Sequence, residues 1–358
     1  MFITGLGTAV PDKRYSQRQC LESLRASPQF ARLAAPSRVL LERVLGAGVG
    51  VQTRHLALES LDEAFELDPD VLYRRYFAHA PDLATRAARK ALDDAGAVPG
   101  EIDALIISTC TGYLCPGLTS YVAERLGLRS DALLLDLVGQ GCGAALPNLR
   151  TADALLTAQR CGRVLSVCVE VCSAALYIDD DPGVLISACL FGDGAAAALT
   201  AANPRKDARS VRWTGATTVS DPAARETLRM EQRGGLLRNI LSRSVPQVAA
   251  EHASSLLSTE LRKRELATTD IRAWIWHAGG KTVLERLRAL TGLGEEATRR
   301  SADILGRFGN LSSPFVFFVL AQTLRERAPG GWWWMSSFGA GFSCHGALLE
   351  VSGGIEAA

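Results

Sequence analysis

Cys142 stands in the run Leu-Val-Gly-Gln-Gly-Cys-Gly, behind a glycine turn and ahead of a helical pattern. A cysteine attacks as its thiolate, which needs positive potential nearby. The first turn of a helix supplies that potential through free N–H groups and the macrodipole, and glycines let a substrate approach the backbone. The placement predicts a lowered thiol pKa, at a strand-to-helix bend that exposes one side chain. Cys110, Cys115, Cys161, Cys168, Cys172, Cys189 and Cys344 lie in or beside apolar strand-like runs and read as core filler, while Cys20 sits in a polar helical stretch and reads as incidental. A nucleophilic cysteine needs a base or cation as partner, and five histidines are present. His277 closes the run Ile-Arg-Ala-Trp-Ile-Trp ahead of Ala-Gly-Gly, at the carboxyl end of a strand, where α/β sheets build their sites. His55, His79 and His252 are expected to face solvent, and His345, behind a cysteine in the last strand region, reads as packing. Asn310, in Arg-Phe-Gly-Asn-Leu-Ser-Ser-Pro, marks a helix entrance, where asparagine is a common cap.

The elements that must position these residues come in two similar sets. The opening MFITGLGTAVPD resembles VRWTGATTVSDP at 211–222, and EIDALIISTCTG at 101–112 with its following helix parallels DIRAWIWHAGG at 270–280 with its own. The glycine turn and helix of 135–158 parallel 304–326, which puts Cys142 and Asn310 at matching points, and two apolar strands close each set. Alternating strands and helices predict an α/β fold, a mainly parallel sheet covered by helices. The division is 1–210, carrying the cysteine, and 211–358, carrying the histidine and asparagine, in one fused body. Segments 16–95 and 223–265 fall outside the repeat and read as helical additions. If a pseudo-twofold axis relates the halves, Cys142 and Asn310 face each other at opposed helix N-termini with His277 on a neighbouring loop.

Composition narrows the classes of function. A length of 358 residues suits about two domains. Lys plus Arg at 39 against Asp plus Glu at 38 leaves a net charge of +1 without charge blocks, which argues against nucleic acid as a partner. Nine cysteines without a CxxC pair or zinc-like spacing read as reduced thiols with no metal. No leader-like start or apolar run of membrane-span length is present, so a cytoplasmic protein without a membrane span is expected. The bases are nearly all arginine, a bias read as the mark of a GC-rich, bacterial source.

GQGCG around Cys142, FGDGAAAA at 191–198, HAGG at 277–280, GNLSSP at 309–314 and FGAGFS at 338–343 together make the chain resemble the thiolase superfamily. Within it, the chain is similar to the type III polyketide synthases, the chalcone and stilbene synthase-like enzymes, along essentially its whole length. The resemblance implies a duplicated αβαβα layered fold with helical insertions, a homodimer, acyl-CoA and malonyl-CoA as substrates, and no metal or organic cofactor. It implies that Cys142 accepts the acyl group while His277 and Asn310 bind the thioester carbonyl of the malonyl unit. Decarboxylation then gives an enolate that attacks the Cys142 thioester, in repeated Claisen condensations. Phe191 matches a gatekeeper between CoA tunnel and cavity, and the second gatekeeper position falls near Asn239. Cys172, Ala174, Ala175 and Ser312 match cavity positions, with Gly339 and Gly341 in the C-terminal loop, and Cys115 matches a residue that reaches into the partner's cavity. For CoA, Arg38, Arg43 and Arg54 stand in for the family's bases, Gly48 falls where a lysine is expected, and Gly279 and Gly280 would meet the pantetheine arm. The small lining residues favour a long-chain fatty acyl-CoA starter and a pyrone or resorcinol product. Two departures are the missing proline in FGAGFS and Pro147 inside the helix after Cys142, where a kink is expected.

Three rival readings use the same residues differently. A chain-initiating ketoacyl synthase shares fold and triad but takes an acyl-carrier protein and condenses once. A papain-like cysteine hydrolase uses Cys, His and Asn but lacks the duplication. A non-catalytic acyl-binding scaffold is the reading outside enzymes.

Overall fold

The structure, a computed structural model, describes residues 1–47, 50–206 and 208–352; Gly48 lies outside the described residues. The chain opens with β1 (Phe2–Ala9) and β2 (Arg14–Ser16), then α1 (Gln17–Ala26), α2 (Pro28–Arg32), α3 (Ala35–Ala47), β3 (Thr53–His55) and the long α4 (Pro69–Ala95). Next come β4 (Ala104–Thr109), α5 (Leu118–Leu126), β5 (Leu133–Val138), α6 (Ala145–Thr157), β6 (Arg163–Glu170), α7 (Pro182–Leu190) and β7 (Gly194–Ala201). The remainder runs β8 (Ser210–Ser220), β9 (Leu228–Arg233), β10 (Leu236–Leu241), α8 (Val245–Lys263), β11 (Ile271–Trp276), α9 (Lys281–Thr291), α10 (Glu296–Phe308), α11 (Phe315–Arg325), β12 (Gly331–Gly339) and β13 (Ser343–Ser352).

Nine strands hydrogen-bond in the order β11-β12-β13-β8-β1-β7-β6-β4-β5. β1 and β8 meet antiparallel at the centre, through Phe2↔Arg212 and Ile3↔Val211. Outward from that seam, β1-β7-β6-β4 on one side mirrors β8-β13-β12-β11 on the other, and β5 extends the first side alone. The sheet is mixed rather than mainly parallel. Only β4·β5, β4·β6 and β11·β12 run parallel, while the tight turn between β12 and β13 forces an antiparallel pair.

Helix composition sets the layers. α11 and α6 touch strands of both halves and form the middle layer. Phe315 to Leu320 of α11 are buried without interruption, as a helix covered on all sides requires. α4 presents Ala80, Ala84, Ala87, Ala88 and Ala91, all fully buried, and these small side chains let it lie close on β1 and β7. With α5 it forms one outer layer, and α8 with α9 forms the other. Buried Trp276, Trp333 and Trp334 fill the second half's core. Among the described residues no helix is long and apolar enough to cross a membrane.

Segment 16–95 is helical in α1 to α4 but is interrupted by β3 and the stretch that leads to α4, and 223–265 is not helical throughout either. Its first part is the hairpin β9–β10, turned at Gly234 and Gly235 with φ of 58° and 81°. Two residues in left-handed conformation make the turn that matches strand twist, which favours glycine at both positions.

Candidate active site

β5 ends at Val138, and the chain turns through Gly139 and Gly141, with φ of 83° and 55°. A Cβ at Gly141 would lie 2.8 Å from the Ala340 nitrogen, so a side chain has no room there. The short turn Gly141–Gly143 then presents Cys142 and leads into α6. Pro147 is the third residue of α6 and cannot donate to the Gly143 carbonyl; Ser337 Oγ donates to that carbonyl instead, at 3.0 Å. No hydrogen bond is lost within the helix, and the expected kink has no cause.

Ser312 Oγ donates to Cys142 Sγ at 3.2 Å and lies 3.3 Å from Glu170 Oε1. Ser312 holds φ at 59°, a strained backbone for a serine, at the point where its hydroxyl meets the thiol. Glu170 is fully buried in β6 and accepts from Ser313 Oγ at 2.6 Å, Thr111 Oγ1 at 2.8 Å and the Cys110 backbone N–H at 3.0 Å. Burial raises its pKa, and these donors oppose the rise. The lowered thiol pKa expected for Cys142 is not found. Burial pushes it up to about 12, with the Ser312 hydrogen bond opposing, because the partner is a hydroxyl rather than a cation.

His277 follows β11 directly and is 2% exposed. Its ring is held edge-on by Phe338 and Phe315, at centroid distances of 4.9 and 5.2 Å, and neither ring nitrogen has a hydrogen-bond partner among the described residues. Burial pushes the imidazole down to about 3, so it is neutral at pH 7 and has an N–H to offer. Asn310 is not a helix cap: α11 starts at Phe315, and Asn310 Oδ1 accepts the Ser312 N–H at 2.8 Å. That turn leaves the Asn310 amide Nδ2 as a donor. Asn310 also pairs with Phe191 across the halves, through Gly192 N–H to Asn310 O at 3.0 Å and Asn310 N–H to Leu190 O at 2.9 Å.

Two chambers meet at the nucleophile. The outer one is bordered by Cys142, His277, Asn310, Gly279, Gly280 and Arg43. The inner one is bordered by Cys142, Cys172, Ala175, Ser312 and Asn239. Cys142, Phe191 and Leu228 border both. Asn239, at the second gate position by sequence, borders the inner chamber alone and donates to Ser187 Oγ at 2.9 Å, whereas Leu228, like Phe191, borders both chambers.

Several expected site residues lie elsewhere. Arg54 is buried, not at the mouth, and its guanidinium donates to the Ala188 and Phe191 carbonyls and to Cys20 Sγ. Cys20 is thereby a buried partner, not an incidental surface residue. Arg38, half-buried on α3, does not border the outer chamber. Ala174 packs in the first half's core beside Val171. Gly339 and Gly341 shape the site without lining it: a Cβ at Gly339 would strike Gln140 O, and Gly341 turns β12 into β13 with φ at 114°. Cys115 is exposed. His55 is half-buried, with Nδ1 2.7 Å from Pro11 O, and His252 lies against Phe342 with Nε2 3.5 Å from Asp221, so neither simply faces solvent. His79 is half-buried too, and His345 is buried against Thr218.

The sequence reading passed over Glu170, Cys110, Leu228 and Arg243. Cys110 borders the inner chamber with Sγ 3.3 Å from Glu170 Oε1, and exposed Arg243 joins Arg43 at the outer mouth. A lone carboxylate inside the apolar run Val-Leu-Ser-Val-Cys-Val was the available signal for Glu170.

Residues 2–204 match the family model for the N-terminal domain of chalcone and stilbene synthases, and residues 220–351 match that for the C-terminal domain. The chain is 30% identical over 353 residues to 1,3,6,8-tetrahydroxynaphthalene synthase of Streptomyces peucetius subsp. caesius, covering 97% of this chain and 92% of that protein. It is 27% identical to an α-pyrone synthesis polyketide synthase-like protein of Mycobacterium tuberculosis, over 98% of this chain and 91% of that one. Its likeness to the probable polyketide synthase 1 of Dictyostelium discoideum, 28% identical over 98% of this chain, spans 11% of that protein's length. Among solved structures, PKS-I from the brown alga Ectocarpus siliculosus superposes with a TM-score of 0.90 at 25% identity, over 97% of each chain. The tetrahydroxynaphthalene synthase of Streptomyces coelicolor A3(2) superposes at 0.87 and 24% identity, over 99% of this chain and 100% of that one, a likeness of fold.

Proposed function

The chain belongs to the chalcone and stilbene synthase family, the type III polyketide synthases, and from that membership we propose that it extends an acyl-CoA starter, held on Cys142, by repeated decarboxylative condensation with malonyl-CoA. The observation that carries this reading is the placement of Cys142 on both chambers while His277 and Asn310 face the outer one. A thioester on Cys142 can lie in the inner chamber while malonyl-CoA enters from outside. The neutral imidazole of His277 and the Asn310 amide then donate to the malonyl thioester oxygen. As carbon dioxide leaves, negative charge settles on that oxygen, and fixed donors in a dry site stabilise it. The carbanion attacks the acyl carbonyl carbon, the bond to Cys142 sulfur breaks, and the departing thiolate accepts the Ser312 hydrogen bond. The product is an acyl-CoA two carbons longer, which reloads Cys142 with release of CoA. The balance needs no metal or organic cofactor.

Arg43, Arg243, Gly279 and Gly280 would receive CoA at the outer mouth, with Phe191 and Leu228 dividing the chambers. The apolar inner lining favours a long-chain fatty starter and pyrone or resorcinol products, formed in the cytoplasm. A homodimer completes the proposal. β5 is a sheet edge that exposes Leu133, Leu134 and Val138, and Tyr113 beside the Cys115 loop is 70% exposed; such an edge calls for cover.

Purified protein incubated with acyl-CoA thioesters of graded length and labelled malonyl-CoA should give triketide and tetraketide masses. Product formed only from carrier-protein thioesters would instead select the ketoacyl synthase reading. Acyl-CoA binding without any carbon–carbon product would select the scaffold.

A further inference from the structure

The end of β1, α4, α10 and α11 enclose a cleft of about 440 Å³, a size typical of small-ligand sites. Among the described residues it shares no lining side chain with either chamber. Four bases converge on it from three helices: Arg86 and Lys90, one turn apart on α4, Arg307 on α10 and Arg325 on α11. The lining carries a single carboxylate among the described residues, Asp12, which with Asp82 holds Arg86 at 3.2 and 3.5 Å. Lys90, Arg307 and Arg325 have no carboxylate partner among the described residues. Lys90 donates instead to the Thr8 carbonyl at 3.0 Å, and Arg307 lies over the Phe308 ring and donates to Gln322 Oε1 at 3.3 Å. Glu326, next to Arg325 in the chain, turns to Arg299 and Arg300 at 2.8 and 2.9 Å. The whole chain is nearly neutral, at +1, so this local surplus is not a share of a general excess. Like charges brought to one concavity repel, and a cleft focuses their field, so the arrangement favours an anion there.

We infer that this cleft binds a small molecule through a diphosphate group. Phosphoryl groups offer more acceptor oxygens than a carboxylate and take guanidinium forks from several directions at once, as bases carried by separate helices require. A second phosphate lets one ligand engage α4 together with α10 and α11. The occupant is small because the bases ring one concavity and form no stripe of the kind a nucleic-acid strand follows. The floor is already filled by its own contacts, with His55 stacked on Phe308 and Phe318 edge-on to it, so recognition falls to the bases. The cleft opens beside β1, and β7, β6 and β4 separate it from the β5 edge assigned to the dimer.

The test is calorimetric titration of the full-length protein with sodium pyrophosphate, inorganic phosphate, malonate and ADP. The parent should bind pyrophosphate about tenfold more tightly than phosphate or malonate. Lys90→Gln and Arg325→Gln, both at exposed positions, should each weaken pyrophosphate about tenfold with melting temperature unchanged, whereas Arg43→Gln at the outer mouth should leave it within about twofold. Three results would overturn the inference: a parent that takes up no pyrophosphate at millimolar concentration, malonate bound as tightly as pyrophosphate, or binding lost in Arg43→Gln and kept in the Lys90 and Arg325 variants. ADP separates the sources of the diphosphate. Binding tighter than pyrophosphate assigns a nucleotide, and weaker binding assigns a ligand whose remainder lies outside the cleft.

Discussion

Cys142 and Glu170 lie either side of the Ser312 hydroxyl, 3.2 and 3.3 Å from its oxygen, and that hydroxyl has a single proton to give. The hydrogen bond from Ser312 favours the thiolate, while the Glu170 charge disfavours it. Ser312→Ala should therefore slow iodoacetamide labelling of Cys142 at pH 8 by about tenfold, the scale of one hydrogen bond to a charged group. Glu170→Gln should speed it, and peptide mass mapping would read both; shifts of the same sign would contradict the arrangement. His277→Ala and Asn310→Ala should each lower carbon dioxide release from malonyl-CoA by about a hundred- to a thousandfold, as loss of one oxyanion donor does. Cys142→Ala should abolish condensation and spare that release, a contrast visible with carboxyl-labelled malonyl-CoA. Cys142, His277 and Asn310 were legible because each adjoins a glycine turn that ends a periodic run. The direction of the Cys142 shift was not, since a helix entrance is visible in sequence and the depth of burial around it is not.

α7 owes its position to Asp181, which accepts the Gly183 and Val184 N–H groups at 2.8 and 3.2 Å and the Arg238 guanidinium of β10 at 2.7 Å. Asp181→Ala removes the helix cap and the nearest counter-charge of a nearly buried arginine, and should cost about 2 kcal/mol in urea denaturation. α10 and α11 are tied differently. Arg299 and Arg300 hold Glu326, drawing its carboxyl down to about 2. A carboxyl with a folded pKa below its unfolded one stabilises the fold above the unfolded value and loses that contribution as pH falls through the folded value. Glu326→Gln should thus cost about 1 kcal/mol at pH 6, solvent screening included, and almost nothing near pH 2, as melting temperatures across that range would show. Strand and helix periodicity announced most of these elements. The hairpin β9–β10 was masked because its arginines and leucines read as a helix face, although Gly234-Gly235 is a hairpin signal.

At the scale of the whole molecule, the β1·β8 seam and the mirrored strand orders on either side follow the sequence parallels noted for MFITGLGTAVPD and VRWTGATTVSDP. Strand direction did not follow, because the apolar runs of β7 and β13 carry no mark of which way they run. The open edge at β5 was equally silent, since nothing in the run Leu133-Leu134-Leu135 marks its strand as the last of the sheet. Val138→Lys, placed on that edge, should turn the proposed dimer into a monomer in sedimentation velocity; a parent already monomeric, or an unchanged dimer, would contradict an interface at this edge. The backbone of Phe191 is laced to that of Asn310 across the two halves, so neither can drift without the other. Its aromatic ring, standing between the two rooms, is left with torsional freedom alone. Rotamer hops take picoseconds to nanoseconds, against microseconds or longer for the swing of a lid. A turn of that one side chain, rather than a shift of backbone, is therefore what would widen or narrow the passage between the two rooms.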